Sequence, residues 1–239
     1  MTLMREIQHL LNIIPAPSEV FNDLNKTPRW RMPAAFLFII SPAIGFLIIP
    51  AAIEPLRNIY EESFDSRAAE IALQSTTHYL TISYVAIEPF VKIVGWVFLS
   101  AAIYIIALLS RDTKPFTYKH VISVVAYSET LFHLMGILTL LIIYARGLDQ
   151  ISDPSDMIVF KGAEYFIDKN SVPHSIYSTL NNFNLFSIWY LAVASRGFQI
   201  ISGIKYPRSL ILVVTAWCIL LVLTIGIKFI TERILELFF

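Results

Sequence analysis

The chain has 239 residues, 56% of them hydrophobic and 15% charged, with a formal net charge of zero and a mean hydropathy of +0.65. A soluble domain of that balance would leave too much apolar surface uncovered, and zero net charge removes the basic excess that nucleic-acid binding requires. Membrane lipid is the default partner, and the single cysteine, Cys218, excludes an intrachain disulfide and any multi-cysteine metal site.

In chain order, residues 1–32 are polar enough to form a cytoplasmic segment outside the bilayer. Leu3, Ile7, Leu10, Leu11 and Ile14 recur at helical spacing, with Arg5, Glu6, Gln8, His9 and Asn12 among them. This pattern predicts an amphipathic helix on the membrane surface. It is not that of a signal peptide, because the polar residues interrupt any uncharged run. Pro15 and Pro17 end this helix, and Ser18 is expected to cap a short second one carrying Val20, Phe21 and Leu24.

Residues 33–239 are expected to form the membrane domain. The first uncharged apolar run, Pro33–Ile53, contains Pro42 and Pro50 and is still long enough to span. Glu54–Thr81 concentrates charge, with Glu61, Glu62, Asp65, Arg67 and Glu70, and reads as a solvent-side helical hairpin arm with an apolar stripe. Further spans are expected over Tyr84–Ser110, His120–Ala145, Phe183–Gly203 and Ser209–Ile230. The fold class is therefore all-α, a polytopic transmembrane helical bundle of about five spans with an amphipathic amino-terminal segment.

Short loops set the expected orientation. Arg111, Lys114 and Lys119 lie in one loop and Lys205 and Arg208 in another, on the same side as Lys26, Arg29 and Arg31. That side is expected to be cytoplasmic, with the amino terminus inside and the carboxyl terminus outside. The opposite loop, 146–182, holds Asp149, Asp153, Asp156, Glu164 and Asp168.

Ionisable residues inside a span are costly and mark functional candidates. Lys92 falls about 27 Å from the cytoplasmic end of its span by helix rise, so Glu88 and Lys92 read as a pair at the outer interface. Glu129 and Arg196 both fall roughly 13–15 Å deep, and His133 lies one turn beyond Glu129 on the same helical face. Glu129, His133 and Arg196 read either as a proton, ion or polar-substrate pathway or as an interhelical clasp in which Arg196 neutralises Glu129; the clasp is preferred. Glu129 and His133 have ligand spacing on a helix, but a second paired His and HExxH are missing, so no metal or other cofactor is expected. Asp153 and Asp156 lack the glycine-containing calcium-loop pattern.

No catalytic residues are indicated. There is no GxSxG elbow, phosphate-cradling loop or dinucleotide fingerprint among eight glycines. Ser187, Ser195, Ser202, Gly197 and Gly203 read as helix-packing residues, and Trp30, Trp96, Trp189, Tyr84 and Tyr144 as an interfacial belt.

Three segments together resemble the Yip1 family of five-span membrane proteins. They are PAPSEVFNDLNKTPRWRMP at Pro15–Pro33, the short basic loop feeding KHVISVVAYSETL, and LNNFNLFSIW at the fourth span. One departure is that Tyr127 is followed by Ser128, Glu129 and Thr130, where the family often has a proline. The resemblance implies a five-span bundle with a cytosolic amino terminus and no shared catalytic residues. Eukaryotic relatives act in vesicle trafficking and contact small GTPases; the short amino-terminal region here is similar to the prokaryotic kind, which implies a prokaryotic plasma membrane and no transferable GTPase partner. Two functions are carried forward. One is a non-enzymatic scaffold or accessory protein that binds lipid, other membrane proteins or itself. The other is a small transporter or channel using Glu129, His133 and Arg196.

Overall fold

The computed structural model describes residues 3–109, 113–168 and 171–238, and all regular structure among them is helical. Met1, Ser110 and Arg111 lie outside the described residues, as do the side chains of Asp149 and His174. The helices are α1 (Leu3–Asn12), α2 (Pro17–Lys26), α3 (Arg31–Ser63), α4 (Ser66–Thr81), α5 (Glu88–Leu108), α6 (Tyr118–Ser128), α7 (Thr130–Arg146), α8 (His174–Leu180), α9 (Leu185–Ser202) and α10 (Tyr206–Phe238). Among the described residues four helical stretches, Arg31–Ser63, Ser66–Leu108, Tyr118–Arg146 and Tyr206–Ile230, are long and apolar enough to cross a membrane. They correspond to four of the five expected spans, with Ser110 at the end of the second span outside the described residues. The remaining one corresponds to α9, only 18 residues long and carrying Arg196 and Gln199.

The chain divides into two units, one comprising residues 1–32, 95–131 and 161–239 and the other residues 33–94 and 132–160. In the first unit α9 is the central element, packed by α2, α6 and α10. Its Gly197 allows the close approach. A Cβ there would lie 2.6 Å from Val124 Cγ1 on α6 and 2.9 Å from the Phe21 ring on α2. Val20, Phe21 and Leu24 of α2 are consequently buried, as is α6 from Val121 to Ser128. Ser209 Oγ on α10 donates to the Ser195 carbonyl of α9 at 2.5 Å, tying these helices together through a serine that is itself buried. A small residue at such a crossing lets the helix backbones meet, and van der Waals contacts accumulate there.

Two loops close the same unit. The α9 helix ends at Gly203, whose φ of +73° is the left-handed conformation glycine adopts without a Cβ penalty. The Lys114 side chain lies over this glycine, and the Lys114 N–H donates to the Ser202 carbonyl at 2.8 Å. At the start of α6, Thr117 and His120 form a capping box, and His120 Nε2 lies 3.3 Å from the Asn25 carbonyl at the end of α2. The cap of α2 differs from expectation. Ala16 is its N-cap with Pro17 in the first turn, the position where a missing N–H costs nothing, and Ser18 is engaged elsewhere.

In the second unit, α3 continues through Pro42, Pro50 and Pro55, and the expected hairpin arm forms where α3 gives way to α4. Asp65 caps α4 by accepting from the N–H groups of Arg67 and Ala68. Tyr60 and Thr76 meet across the arm at 3.1 Å. Between α4 and α5 the backbone widens into a π-helical segment, Ile82–Ile87, just before Pro89. The proline has no N–H for the carbonyl four residues back and would clash with it, and a wider turn relieves both problems. This segment brings Tyr84 against α3, where a Cβ on Gly45 would lie 2.9 Å from both Tyr84 Cβ and the Tyr84 carbonyl oxygen. Ala51, Ile143 and Ile151 form a buried core, flanked by Leu148, Met157 and Val159.

Gly197→Ala is expected to lower stability by about 1–3 kcal/mol through overpacking, despite alanine's better helix propensity. Gly226→Ala, with nothing within 4 Å of its added methyl, is expected to leave the detergent-solubilised melting temperature unchanged or slightly raised. Equal effects of the two substitutions would contradict the close approach at Gly197.

Candidate functional site

The α1 helix turns its two faces in an unusual sense. His9 and Leu10 are buried, as is Ile13 just after its end, whereas Leu3, Met4, Ile7 and Leu11 are 66%, 68%, 39% and 66% exposed. Four apolar side chains thus form one outward face, while the inward side carries charge. A helix packed by the hydrophobic effect in water would do the reverse. An apolar face left uncovered beside membrane-spanning elements suits contact with lipid.

Beneath α1 lies a compact charged cluster. Asp23 of α2 accepts from Arg5 at 2.6 Å through Oδ1 and from Arg29 at 2.6 Å through Oδ2. Arg29 also reaches Glu6 at 3.9 Å. Its guanidinium donates to His9 Nδ1 at 3.2 Å, which leaves His9 Nε2 to carry the proton facing Asp23 Oδ2 at 3.4 Å. The neutral imidazole fits its surroundings. Burial lowers the His9 pKa from 6.5, Arg29 lowers it further, and nearby Asp23 opposes them without prevailing. The His9 ring also meets fully buried Tyr127 of α6 edge-on, with centroids 6.4 Å apart. The polar residues of α1 therefore attach it to α2 and α6.

The intramembrane candidates fall in different places. Glu129 is buried at the junction between α6 and α7, where Ser128 Oγ donates back to the Val124 carbonyl at 2.8 Å, a bond that bends helices. His133 is buried in the second unit and packs edge-on against Phe36 at 5.6 Å. Arg196 is exposed. Its Nε donates to Ser18 Oγ at 3.0 Å and its Nη1 to Gln199 Oε1 at 2.6 Å. The guanidinium expected to face Glu129 is thus held by α2 instead, because the amino-terminal segment packs along α9 at this level. No sequence signal placed Ser18 beside a residue 178 positions away.

Near the expected outer interface, Glu88 opens α5, and the Lys92 ammonium lies 5.4 Å over the Phe132 ring. Among the proposed belt residues, Trp96 is buried, while Tyr144 is exposed and donates to the Leu47 carbonyl at 2.8 Å. In the acidic segment, Asp156 Oδ2 accepts from the N–H groups of Asp153 and Ser152 and from the Ser152 hydroxyl. The Asp153 and Ser152 bonds hold its carboxyl below the usual aspartate range. This aspartate closes a turn. Among the described residues no three His, Cys, Asp or Glu side chains come together as a metal site.

A family model described as Yip1 domain matches residues 11–227. No curated protein and no solved structure matches the chain.

Two measurements follow from the geometry. His9 has its pKa lowered in the folded state, so the unfolded chain binds the extra proton more readily. Stability is therefore lost as pH falls below 6.5 toward the lower folded value, by no more than about 1.4 kcal/mol per pH unit. His9→Asn is expected to flatten that part of the melting-temperature profile between about pH 7.5 and 5.5. Second, a double-mutant cycle on thermal stability is expected to show coupling of about 0.5 kcal/mol or more between Ser18→Ala and Arg196→Gln, and additivity between Glu129→Gln and Arg196→Gln. Strong coupling in the second pair alone would restore the clasp.

Proposed function

Because the chain belongs to the Yip1 family, a family of integral membrane proteins, we propose that it is a non-enzymatic scaffold or accessory protein of a prokaryotic plasma membrane. In this reading the chain crosses the bilayer five times, with its amino terminus cytoplasmic and its carboxyl terminus outside. Residues 1–32 serve as the cytoplasmic amphipathic segment, and residues 33–239 form the membrane domain. One observation carries the proposal. The Leu3, Met4, Ile7 and Leu11 face of α1 points away from the protein while its charged side is bonded inward. Such a helix acts as a fixed interfacial foot, with apolar side chains seated among lipid headgroups and acyl chains. Lys26, Arg31, Lys114, Lys119, Lys205 and Arg208 on the proposed cytoplasmic side favour anionic headgroups. Other membrane proteins or a second copy of the chain would be held beside that surface. The transport reading needs Arg196 as a partner inside the membrane, and Arg196 is instead bonded to Ser18 and Gln199.

Nitroxide labels at positions 7 and 11, introduced as Ile7→Cys and Leu11→Cys with Cys218→Ala, are expected to show oxygen accessibility typical of lipid after reconstitution. A label at Gln8→Cys should be accessible to a water-soluble relaxer. Water-like signals at positions 7 and 11 would refute the interfacial foot. Orientation is checked separately in cells by thiol labelling, with Asp156→Cys expected to react from outside and Lys114→Cys only after permeabilisation. The reversed pattern would invert the topology.

A further inference from the structure

Within the first unit α9 and α10 run antiparallel, and their contacts allow depths along the two helices to be compared. Ser209 Oγ of α10 donates to the Ser195 carbonyl of α9 at 2.5 Å, so the adjoining Arg208 and Arg196 stand at one level. That level belongs to the water side. Ser18 of α2 accepts from Arg196 there, and α2 buries Val20, Phe21 and Leu24 while leaving Glu19, Asn22, Asn25 and Lys26 exposed. Two exposed charges and two exposed amides on one short helix suit water and not acyl chains.

Outward from that level the two helices differ. The α10 helix carries no charge until Lys228, about 30 Å of helix beyond Arg208, which matches the hydrocarbon thickness of a bilayer. The α9 helix stops much sooner. It begins at Leu185, where Asn184 caps it by accepting from the Ser187 N–H at 3.0 Å. Its outward apolar face consists of Phe183, Leu185 and Ile188, which are 44%, 70% and 65% exposed. That face ends at Asn182, about 20 Å from Arg196 by helix rise. The Phe183 ring meets Trp217 with centroids 5.1 Å apart, near the middle of the apolar stretch Tyr206–Ile230 of α10. Farther out, Lys228 Nζ reaches Ser178 Oγ of α8 at 3.3 Å. The break between α8 and α9 therefore lies short of the level at which α10 turns polar. Asn182 Nδ2 donates to the Thr179 carbonyl at 2.9 Å, yet the residue remains exposed.

An exposed amide inside the hydrocarbon is costly, and so is an apolar face about 10 Å shorter than the bilayer beside it. Lipid answers a short face by thinning next to it. We infer that the first unit thins the bilayer on its α9 side, drawing outer-leaflet phospholipid headgroups and their water down to Asn182, while the α10 side keeps full thickness. The inference rests on the proposed crossing of the bilayer by both helices. Phospholipid is the occupant that fits this face. Its chains meet Phe183, Leu185 and Ile188, an inner-leaflet phosphate meets the exposed Arg196 guanidinium, and an outer-leaflet headgroup meets the Asn182 amide. The depth of Asn182 is not readable from hydropathy, because it is set by which residues of α10 stand opposite.

The test uses the full chain with Cys218→Ala, reconstituted in phosphatidylcholine vesicles and carrying a nitroxide at Asn182→Cys or Ile227→Cys. Ile227 is 67% exposed and lies beyond Trp217 toward Lys228. Position 182 is expected to favour the water-soluble relaxer and position 227 to favour oxygen, although 227 lies farther from the cytoplasmic end. An independent measurement follows the melting temperature of the unlabelled protein through lipids of increasing chain length. Asn182→Leu lengthens the apolar face and is expected to move the most stabilising lipid toward longer chains. A water-like signal at 227 overturns the inference, since the belt would then be equally short on both helices. An oxygen-rich signal at 182 overturns it, as does spin–spin broadening at 182, which would show a second copy covering the break. The same optimal chain length for wild type and Asn182→Leu overturns it as well. Reversed thiol labelling at positions 114 and 156, or water-like signals at positions 7 and 11, would refute the topology or the interfacial foot and leave the contrast between 182 and 227 unchanged.

Discussion

The first unit depends on how closely α2 and α6 approach α9 at Gly197. Closely packed helices gain from many small van der Waals contacts, and those contacts require the backbones to come near one another. Without a Cβ at Gly197, Phe21 and Val124 can reach the α9 backbone from two sides. Serines then reinforce the packing. Ser209 of α10 donates to the Ser195 carbonyl of α9, while Ser195 and Ser202, also buried, pair their hydroxyls within α9 on the Leu191 and Phe198 carbonyls. The Arg196 bond to Ser18 and the His120 contact with Asn25 follow from the same packing, which brings α2 alongside both α9 and α6.

The position of α2 in turn determines how α1 is presented. Asp23 is on α2 and Arg29 just beyond it, and together they bind Arg5, Glu6 and His9 from below. Once those polar groups are turned inward, the helix has only one way to direct Leu3, Met4, Ile7 and Leu11. The charged cluster and the apolar outer face are therefore two consequences of one docking geometry. Burial keeps His9 neutral, and its neutral ring both accepts from Arg29 and donates toward Asp23.

The second unit reaches its close contacts by different means. Pro89 and the preceding π-helical turn alter the backbone course where α3 and Tyr84 meet, and Gly45 removes the Cβ that would prevent the meeting. Prolines within α3 are accommodated as well, with the helix continuous through three of them. In both units glycine marks a point where backbone or ring atoms approach a helix more closely than any side chain would allow.

The long apolar runs and the amphipathic period of the amino-terminal helix were legible from the sequence, because each is a local pattern imposed by bilayer thickness or helical repeat. Hydropathy alone also located the α4 arm and the run containing α6 and α7. It could not show the junction at Glu129, which lies inside an otherwise continuous apolar pattern. Depth along a helix likewise suggested Arg196 as Glu129's partner, but equal depth says nothing about azimuth or about a third element inserted alongside. Only the tertiary structure placed Ser18 against Arg196 and divided the α1 stripe into buried Leu10 and exposed Leu3, Ile7 and Leu11. Those features arise from contacts between segments far apart in the chain, so residue type and spacing cannot encode them.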